Sequence, residues 1–196
     1  MPETWAIILA AGKSARMTVN KLLLPFNGES IIETAINHVL HSEIDHILIV
    51  LGAFHEETGR AVSKLPVNVC YNPEFEKGML SSVQCGFRNI PVSADAVLVY
   101  QGDQPLIPGE VANRLISSWR QTGKGIVVPV YRDKRGHPLL IAGRYREEVM
   151  SLSHDVGLRA LLHKFPEDVL GIDMEIPGII QDIDTLKDYL NIIQSN

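Results

Sequence analysis

"WAIILAAGKSARMTVNKLLLPFNG", Trp5 to Gly28, is the stretch from which the fold is read. Trp5 to Ala10 form an unbroken apolar run, as expected of a strand buried on both faces of a parallel sheet. The run ends in a turn of small residues, Ala10, Ala11 and Gly12, and Lys13, Arg16 and Lys21 follow closely. A glycine at a strand end lets the backbone approach a ligand and turn its N–H groups inward. A helix or turn beginning there would present unpaired donors to an anion. Arg16 adds a guanidinium that can hold phosphate through two parallel hydrogen bonds. Two readings stand, solvated cations on a strand-to-helix turn or a phosphate cradle. Three cations beside a buried strand end favour the cradle. The loop meets neither GxxxxGK[ST] nor GxGxxG, because Gly12 is its one glycine.

Outward from this stretch, short apolar runs alternate with amphipathic segments. Strands are expected at 5–10, 46–51, 67–72, 96–100, 125–130, 138–142 and 179–183. In "SIIETAINHVLHS" the residues Ile32, Ala35, Ile36, Val39 and Leu40 recur at helical spacing, with Ser30 and Glu33 placed as a capping box. Further helices are expected at 54–64, 80–89, 108–121, 144–151, 156–164 and 185–194, with Pro108 at a first helical position. This alternation predicts an α/β fold, a Rossmann-like, doubly wound, mostly parallel sheet in a single domain over 1–196. The less regular segment 131–178 holds "PLLIA" and "DVLGIDM", read as small antiparallel additions forming a lid or subdomain at the sheet edge. In such sheets ligands bind beyond the carboxyl ends of the strands, where strand order reverses.

Composition narrows the classes. The 196 residues carry a formal net charge of −5, which argues against nucleic acid as the main partner. A local cationic pocket for a phosphorylated small molecule stays open. Hydrophobic residues make up 45% and charged residues 21%, which excludes a mainly disordered chain. The two cysteines, Cys70 and Cys85, give neither a disulfide framework nor a four-cysteine zinc site, and fit a reducing compartment. No run approaches the ~20 apolar residues of a membrane span, and the N-terminus lacks a basic region before its apolar run. A cytoplasmic protein with no membrane partner is expected.

The loop after the fourth strand, "QGDQPLI", places Asp103 behind Gly102. A carboxylate there can hold Mg²⁺ that also bridges phosphate oxygens; the alternative is a turn aspartate capping the next helix. "QDIDT" adds Asp182 and Asp184 before the last helix, either as partners of Asp103 on a metal or as helix caps worth about 0.5–2 kcal/mol. The histidines His38 and His41 stand three apart without partner ligands, and are read as surface residues of the first helix. Cys85 is read as a small buried hydrophobe.

The segments "LAAGKSARM" with Lys21 and "LLLP" beyond, "GMLSSVQCG" (78–86), "GDQPLI" (102–107), "RGHPLLI" (135–141), "DVGLRALL" (155–162) and "DIDTLKDY" (182–189) occur in that order. Together they resemble the MobA-like nucleotidyltransferases over nearly the whole chain, most closely the molybdenum cofactor cytidylyltransferase group. The resemblance implies that Leu9, Ala10, Ala11, Gly12 and Lys13 wrap a nucleotide with Gly102, and that Arg16 and Lys21 neutralise its triphosphate. It implies catalytic roles for Lys21, Arg16 and Asp103, and Mg²⁺ held by Asp103 with Asp184 or Asp182. Met79 to Ser82 would border base and ribose, with Ser81 and Ser82 as polar contacts. Arg135, Gly136 and His137 would face a molybdopterin-type acceptor, although a structural hydrogen bond is an equal reading of His137. The "LAAG" start favours CTP over GTP, and a molybdenum hydroxylase would be the downstream partner. The chain departs from the pattern at Thr18, usually glycine, at Asn20, usually proline, and at His154, where a first glycine is lost.

The implied reaction is attack by an acceptor phosphate oxygen on the α-phosphorus of CTP, with loss of pyrophosphate. A phosphate nucleophile is already ionised at neutral pH, so positioning and cations would carry catalysis. Transfer to a sugar or polyol phosphate, or non-catalytic binding as a cofactor chaperone, are the competing expectations.

Overall fold

A computed structural model describes residues 2–17 and 19–195. The chain runs β1 (Thr4–Ala10), β2 (Pro25–Phe26), β3 (Glu29–Ser30), α1 (Ile31–Leu40), β4 (His46–Leu51), α2 (His55–Val62), β5 (Asn68–Tyr71) and α3 (Met79–Asn89). It continues through β6 (Ala96–Gln101), α4 (Gly109–Thr122), β7 (Ile126–Tyr131), β8 (Lys134–Arg135), β9 (Leu139–Ala142), α5 (Arg146–Ser151), α6 (Arg159–Lys164), β10 (Val169–Asp173) and α7 (Leu186–Ser195). The main sheet has the order β10-β7-β9-β6-β1-β4-β5, with β8 paired to β7; β2 and β3 form a separate small ribbon.

Strands β6, β1, β4 and β5 are mutually parallel. β9 lies antiparallel between β6 and β7, while β10 is parallel to β7. From β1 the chain first builds outward to β4 and β5, then returns to place β6 on the other side of β1. The reversal of strand order therefore opens at the carboxyl ends of β1 and β6, where a doubly wound sheet binds its ligands.

The unbroken apolar run of β1 is explained by burial on both faces. Ala6, Ile8 and Ala10 belong to one core, with Ile32 and Ile36 of α1 and Val111 and Leu115 of α4. Trp5 and Ile7 belong to the other, with Val83 and Phe87 of α3, Val149 of α5 and Leu161 of α6. Ile7 and Ile8 are each fully buried, a contribution of about 1.5–3 kcal/mol apiece. At the start of α1 the capping box forms as its spacing predicts. The Glu33 N–H donates to Ser30 Oγ at 3.3 Å, and the Ser30 N–H donates to Glu33 Oε2 at 2.9 Å.

Several expectations are corrected. Residues 179–183 are not a strand; Pro177–Ile180 form a 3-10 turn and the chain then runs in coil. Pro177 lacks an N–H for a ladder and presets a helical φ. The last strand is instead β10, within "DVLGIDM", and it pairs in parallel; "PLLIA" (β9) is antiparallel as expected, but it lies inside the main sheet between β6 and β7 rather than in a lid at its edge. β8, absent from the sequence reading, forms a tight hairpin with β7 through Arg132 and Asp133, both at positive φ. Pro108 caps α4 from outside the helix rather than occupying its first position. No helix among the described residues starts directly after β1. No helix there is long and apolar enough to cross a membrane.

Candidate active site

A cleft of about 330 Å³ lies over the carboxyl ends of β1 and β6. Its floor is the loop Leu9–Arg16, and Lys21 and Leu22 close one side. Phe75, Gly78, Met79 and Ser82 stand opposite, and Gln101, Asp103 and Asp184 close the end. Side chains from four separate stretches of sequence thus meet at the topological switch point.

The chemistry concentrates at one end. Lys21 Nζ donates to Asp103 Oδ2 at 2.5 Å and to Asp184 Oδ1 at 2.9 Å, and Arg16 donates to Asp184 Oδ2 at 2.7 Å. The Lys21 side chain is 12% exposed and that of Arg16 65%, so one cation is enclosed and the other faces the mouth. Burial alone would lower the Lys21 pKa, but the Asp103 and Asp184 carboxylates overcome it and hold the ammonium above its ordinary value. For Asp184, burial opposes ionisation, yet hydrogen bonds and charge from Lys21, with Arg16, keep its carboxyl below the usual range. Asp182 shows the reverse. Burial, then repulsion from Asp184 and Asp103, raises its pKa. Of the two aspartates left open by the sequence, Asp184 is the one that reaches Lys21.

Backbone bonds explain the convergence. The Ile183 N–H donates to the Asp103 carbonyl at 3.1 Å, tying the C-terminal loop to the end of β6. The start of α7 is capped by Thr185 and Asp188, which exchange N–H bonds at 2.7 and 3.2 Å. That leaves Asp184 free for the cluster. Within the first loop, Ser14 sits at φ 49° and its hydroxyl accepts the Lys21 N–H at 3.2 Å. The Ala53 N–H donates to the Ala11 carbonyl at 3.3 Å, fixing the loop against the end of β4. At Gly12 an added Cβ would meet open space, so this position leaves room for a ligand without being required by packing. Lys13 pairs with Glu76 at 2.6 Å and lies 5.8 Å from the Phe75 ring centroid, on the opposite rim.

Other predicted residues do different work. Ser82 lines the cleft, whereas the Ser81 hydroxyl is buried and donates within the turn before α3, to the Glu74 and Gly78 carbonyls. Both serines accept from Asn72 Nδ2 at 3.0 Å. Gly102 lies beneath the cleft, where a Cβ would come within 3.0 Å of the Leu9 carbonyl and 2.9 Å of Ile32. Gly136 marks a backbone crossing: its Cβ would stand 2.4 Å from the Ile179 carbonyl, and the His137 N–H donates to that oxygen at 2.8 Å. Arg135 is exposed at the edge of β8. His137 lies 2.7 Å from Gln101 Nε2, so the imidazole reaches the cleft only through that amide. Burial lowers its pKa, leaving it neutral near pH 7. None of Arg135, Gly136 and His137 lines the cleft. Thr18, the departure from the glycine pattern, lies outside the described residues. Phe75, Gln101 and Ser14 are in or against the site without having been anticipated. A lone loop aromatic and a serine at positive φ leave no pattern in sequence, though Gln101 directly precedes the "GDQP" segment.

The donor set suits a hard divalent cation. Two carboxylates from separate segments converge on Lys21, with Arg16 on Asp184 and the Asp182 carboxylate close by. Among the described residues no group of three or more His, Cys, Asp or Glu side chains could hold a metal on its own. Mg²⁺ takes one or two protein carboxylates and completes its shell with substrate oxygens and water; Asp103 and Asp184 are the residues that would hold it.

The fold, together with the family to which the chain belongs, supports a catalytic nucleotidyltransferase-type enzyme. The chain belongs to the MobA-like NTP transferase domain family, whose profile matches residues 6–169. It is 26% identical over 185 residues to the Escherichia coli K12 protein named molybdenum cofactor cytidylyltransferase, covering 94% of this chain and 92% of that one. It is 28% identical over 200 residues to nicotine blue oxidoreductase of Paenarthrobacter nicotinovorans, covering 98% of each. A solved nucleotidyl transferase from Methanothermobacter thermautotroptrophicus superposes with a TM-score of 0.85 at 25% identity, over 98% of this chain and 97% of that one. Relatives of similar identity carry a transferase and an oxidoreductase name, so similarity gives the family and not the substrate.

Proposed function

We propose that this protein transfers a cytidylyl group from CTP to the terminal phosphate of a molybdopterin-type acceptor and releases pyrophosphate. The observation that carries transferase over oxidoreductase chemistry is the Lys21–Asp103–Asp184 cluster with Arg16 at its mouth. In a triphosphate site such carboxylates hold a divalent cation that bridges phosphate oxygens, a role that hydride transfer does not call for. The choice of CTP and of the pterin rests on the similarity to the Escherichia coli cytidylyltransferase and on the "LAAG" start.

In the reaction an acceptor phosphate oxygen forms a bond to the α-phosphorus while the bond from that phosphorus to the bridging oxygen breaks, and pyrophosphate leaves with the electron pair. The nucleophile is already ionised, so no side chain has to accept a proton. Lys21, held charged, would counter negative charge at the α-phosphate, and Arg16 that of the outer phosphates. The loop from Ala10 to Gly12 lets the nucleotide lie close to the backbone. Asp103 and Asp184 would hold Mg²⁺, which when bound neutralises phosphate oxygens and orients them.

A second reading, transfer to a sugar or polyol phosphate, is favoured by one observation: the Arg135–His137 segment does not line the cleft. The test is to incubate the protein with Mg²⁺, each of the four NTPs, and either molybdopterin with or without molybdenum or a sugar phosphate, following pyrophosphate. CTP-dependent release only with the pterin is expected. Release with a sugar phosphate instead would establish the second reading, and tight binding without release would remove both.

A further inference from the structure

Lys21 bridges Asp103 and Asp184, and its flexible stem alone does not hold it there. What fixes the direction of its backbone is a buried polar clamp behind it. Asn20 is 7% exposed, and its Nδ2 donates at 3.0 Å to Oγ1 of Thr58, a fully buried residue of α2. Its Oδ1 accepts the Leu22 N–H at 3.2 Å, and its carbonyl accepts the Leu23 N–H at 3.1 Å. With the Lys21 N–H on Ser14 Oγ, the 3-10 turn Lys21–Leu23 is pinned at its start and from behind. An apolar side chain at position 20 could fill the same space, but it would leave the Leu22 N–H and the Thr58 hydroxyl without these partners, an unfavourable state in an interior. Helix α2 sends no side chain into the cleft among the described residues; it packs against the Lys21–Leu23 turn and bonds to it through Thr58.

We propose that Asn20 and Thr58 are positioning residues for Lys21, acting through the turn rather than on substrate. The catalytic consequence rests on the reading of Lys21 as the cation facing the α-phosphate. The positional part does not.

Competitive acetylation of the full chain with acetic anhydride, read by peptide mass spectrometry, measures each lysine against exposed Lys64. Lys21, enclosed and ion-paired, should react slowly. Thr58→Val removes the acceptor hydroxyl at nearly constant volume and should speed Lys21 labelling about three- to tenfold, the population change that losing one net hydrogen bond allows. Thr58→Ser keeps the hydroxyl and should label as the unsubstituted protein does, even where its melting temperature falls. Should the valine variant not fold, Asn20→Ser gives the same reading, since serine is too short to span to Thr58. In turnover, Thr58→Val should lower kcat and Thr58→Ser should not. Unchanged Lys21 labelling in folded Thr58→Val, or equal acceleration in the serine and valine variants, would overturn the proposal. Adding CTP with Mg²⁺ keeps the two ideas apart. If CTP fails to protect Lys21 in the unsubstituted protein, the nucleotide reading falls while the comparison of variants stands.

Discussion

The two halves of the sheet treat their motif-like residues in opposite ways. In the parallel half, β6-β1-β4-β5, Lys21, Asp103 and the flanking loop direct side chains into one cleft, and Asp184 joins them from the C-terminal loop. In the mixed half, β9-β7-β10 with β8, the equally distinctive Arg135–His137 segment holds a backbone crossing against Ile179 and lies behind Gln101. A short unusual stretch of sequence can therefore arise from chemistry or from tight packing. Only the direction of its side chains tells which.

Substitutions in the parallel half should produce the largest effects. Asp103→Asn or Lys21→Met is expected to cut turnover about 10²- to 10³-fold, the usual cost of losing one group that stabilises transition-state charge, with far-UV circular dichroism unchanged. Turnover of Asp103→Asn close to that of the unsubstituted protein would move the reactive centre out of this cleft. In the mixed half the expected loss is of stability. Gly136→Ala places a Cβ against the Ile179 carbonyl and should destabilise by roughly 1–3 kcal/mol, the range for overpacking, read from the denaturant midpoint. Smaller again is Arg135→Ala. At an exposed edge it should change stability by no more than about 0.5 kcal/mol, while raising KM for the acceptor if this segment contacts it. An unchanged acceptor KM would leave the segment a purely structural one.

The same contrast explains what was legible in the sequence. Strands β1, β4 and β6 are buried on both faces, so their apolar runs are unbroken and their ends stand out against the loops. Asp103 lies just beyond such an end, and Lys21 stands in the loop that follows β1. The edge strands β5 and β10 are only partly buried and carry weaker patterns, and β8 is two residues long. Residues 179–183 look like a strand because Ile179 and Ile183 are fully buried, but Ile179 is buried in the turn after Pro177 and Ile183 in the coil that follows, not in a ladder. Burial leaves the same apolar mark in either geometry. The Asn20–Thr58 clamp joins residues 38 apart, and no local periodicity reports a single long-range hydrogen bond.

The smallest expected effect separates the two aspartates that sequence reading could not. Asp184 has a depressed folded-state pKa through Lys21 and Arg16, so its ionised form favours the folded state. That contribution is present above its ordinary value of 3.8 and is lost as pH falls through the depressed value. Asp182 has a raised pKa from burial and from Asp184 and Asp103, so its ionised form opposes folding. That cost is absent below 3.8, grows as pH rises through the raised value, and is complete above it. Asp184→Asn should therefore lower the melting temperature at neutral pH and Asp182→Asn should raise it slightly, in buffer without divalent cations. The Asp182→Asn difference should disappear below about pH 3.8. Thermal unfolding followed across the acid range measures both. A fall in melting temperature for both variants at neutral pH would mean that the carboxylates share one environment, and the assignment of Asp184 alone to Lys21 would then fail.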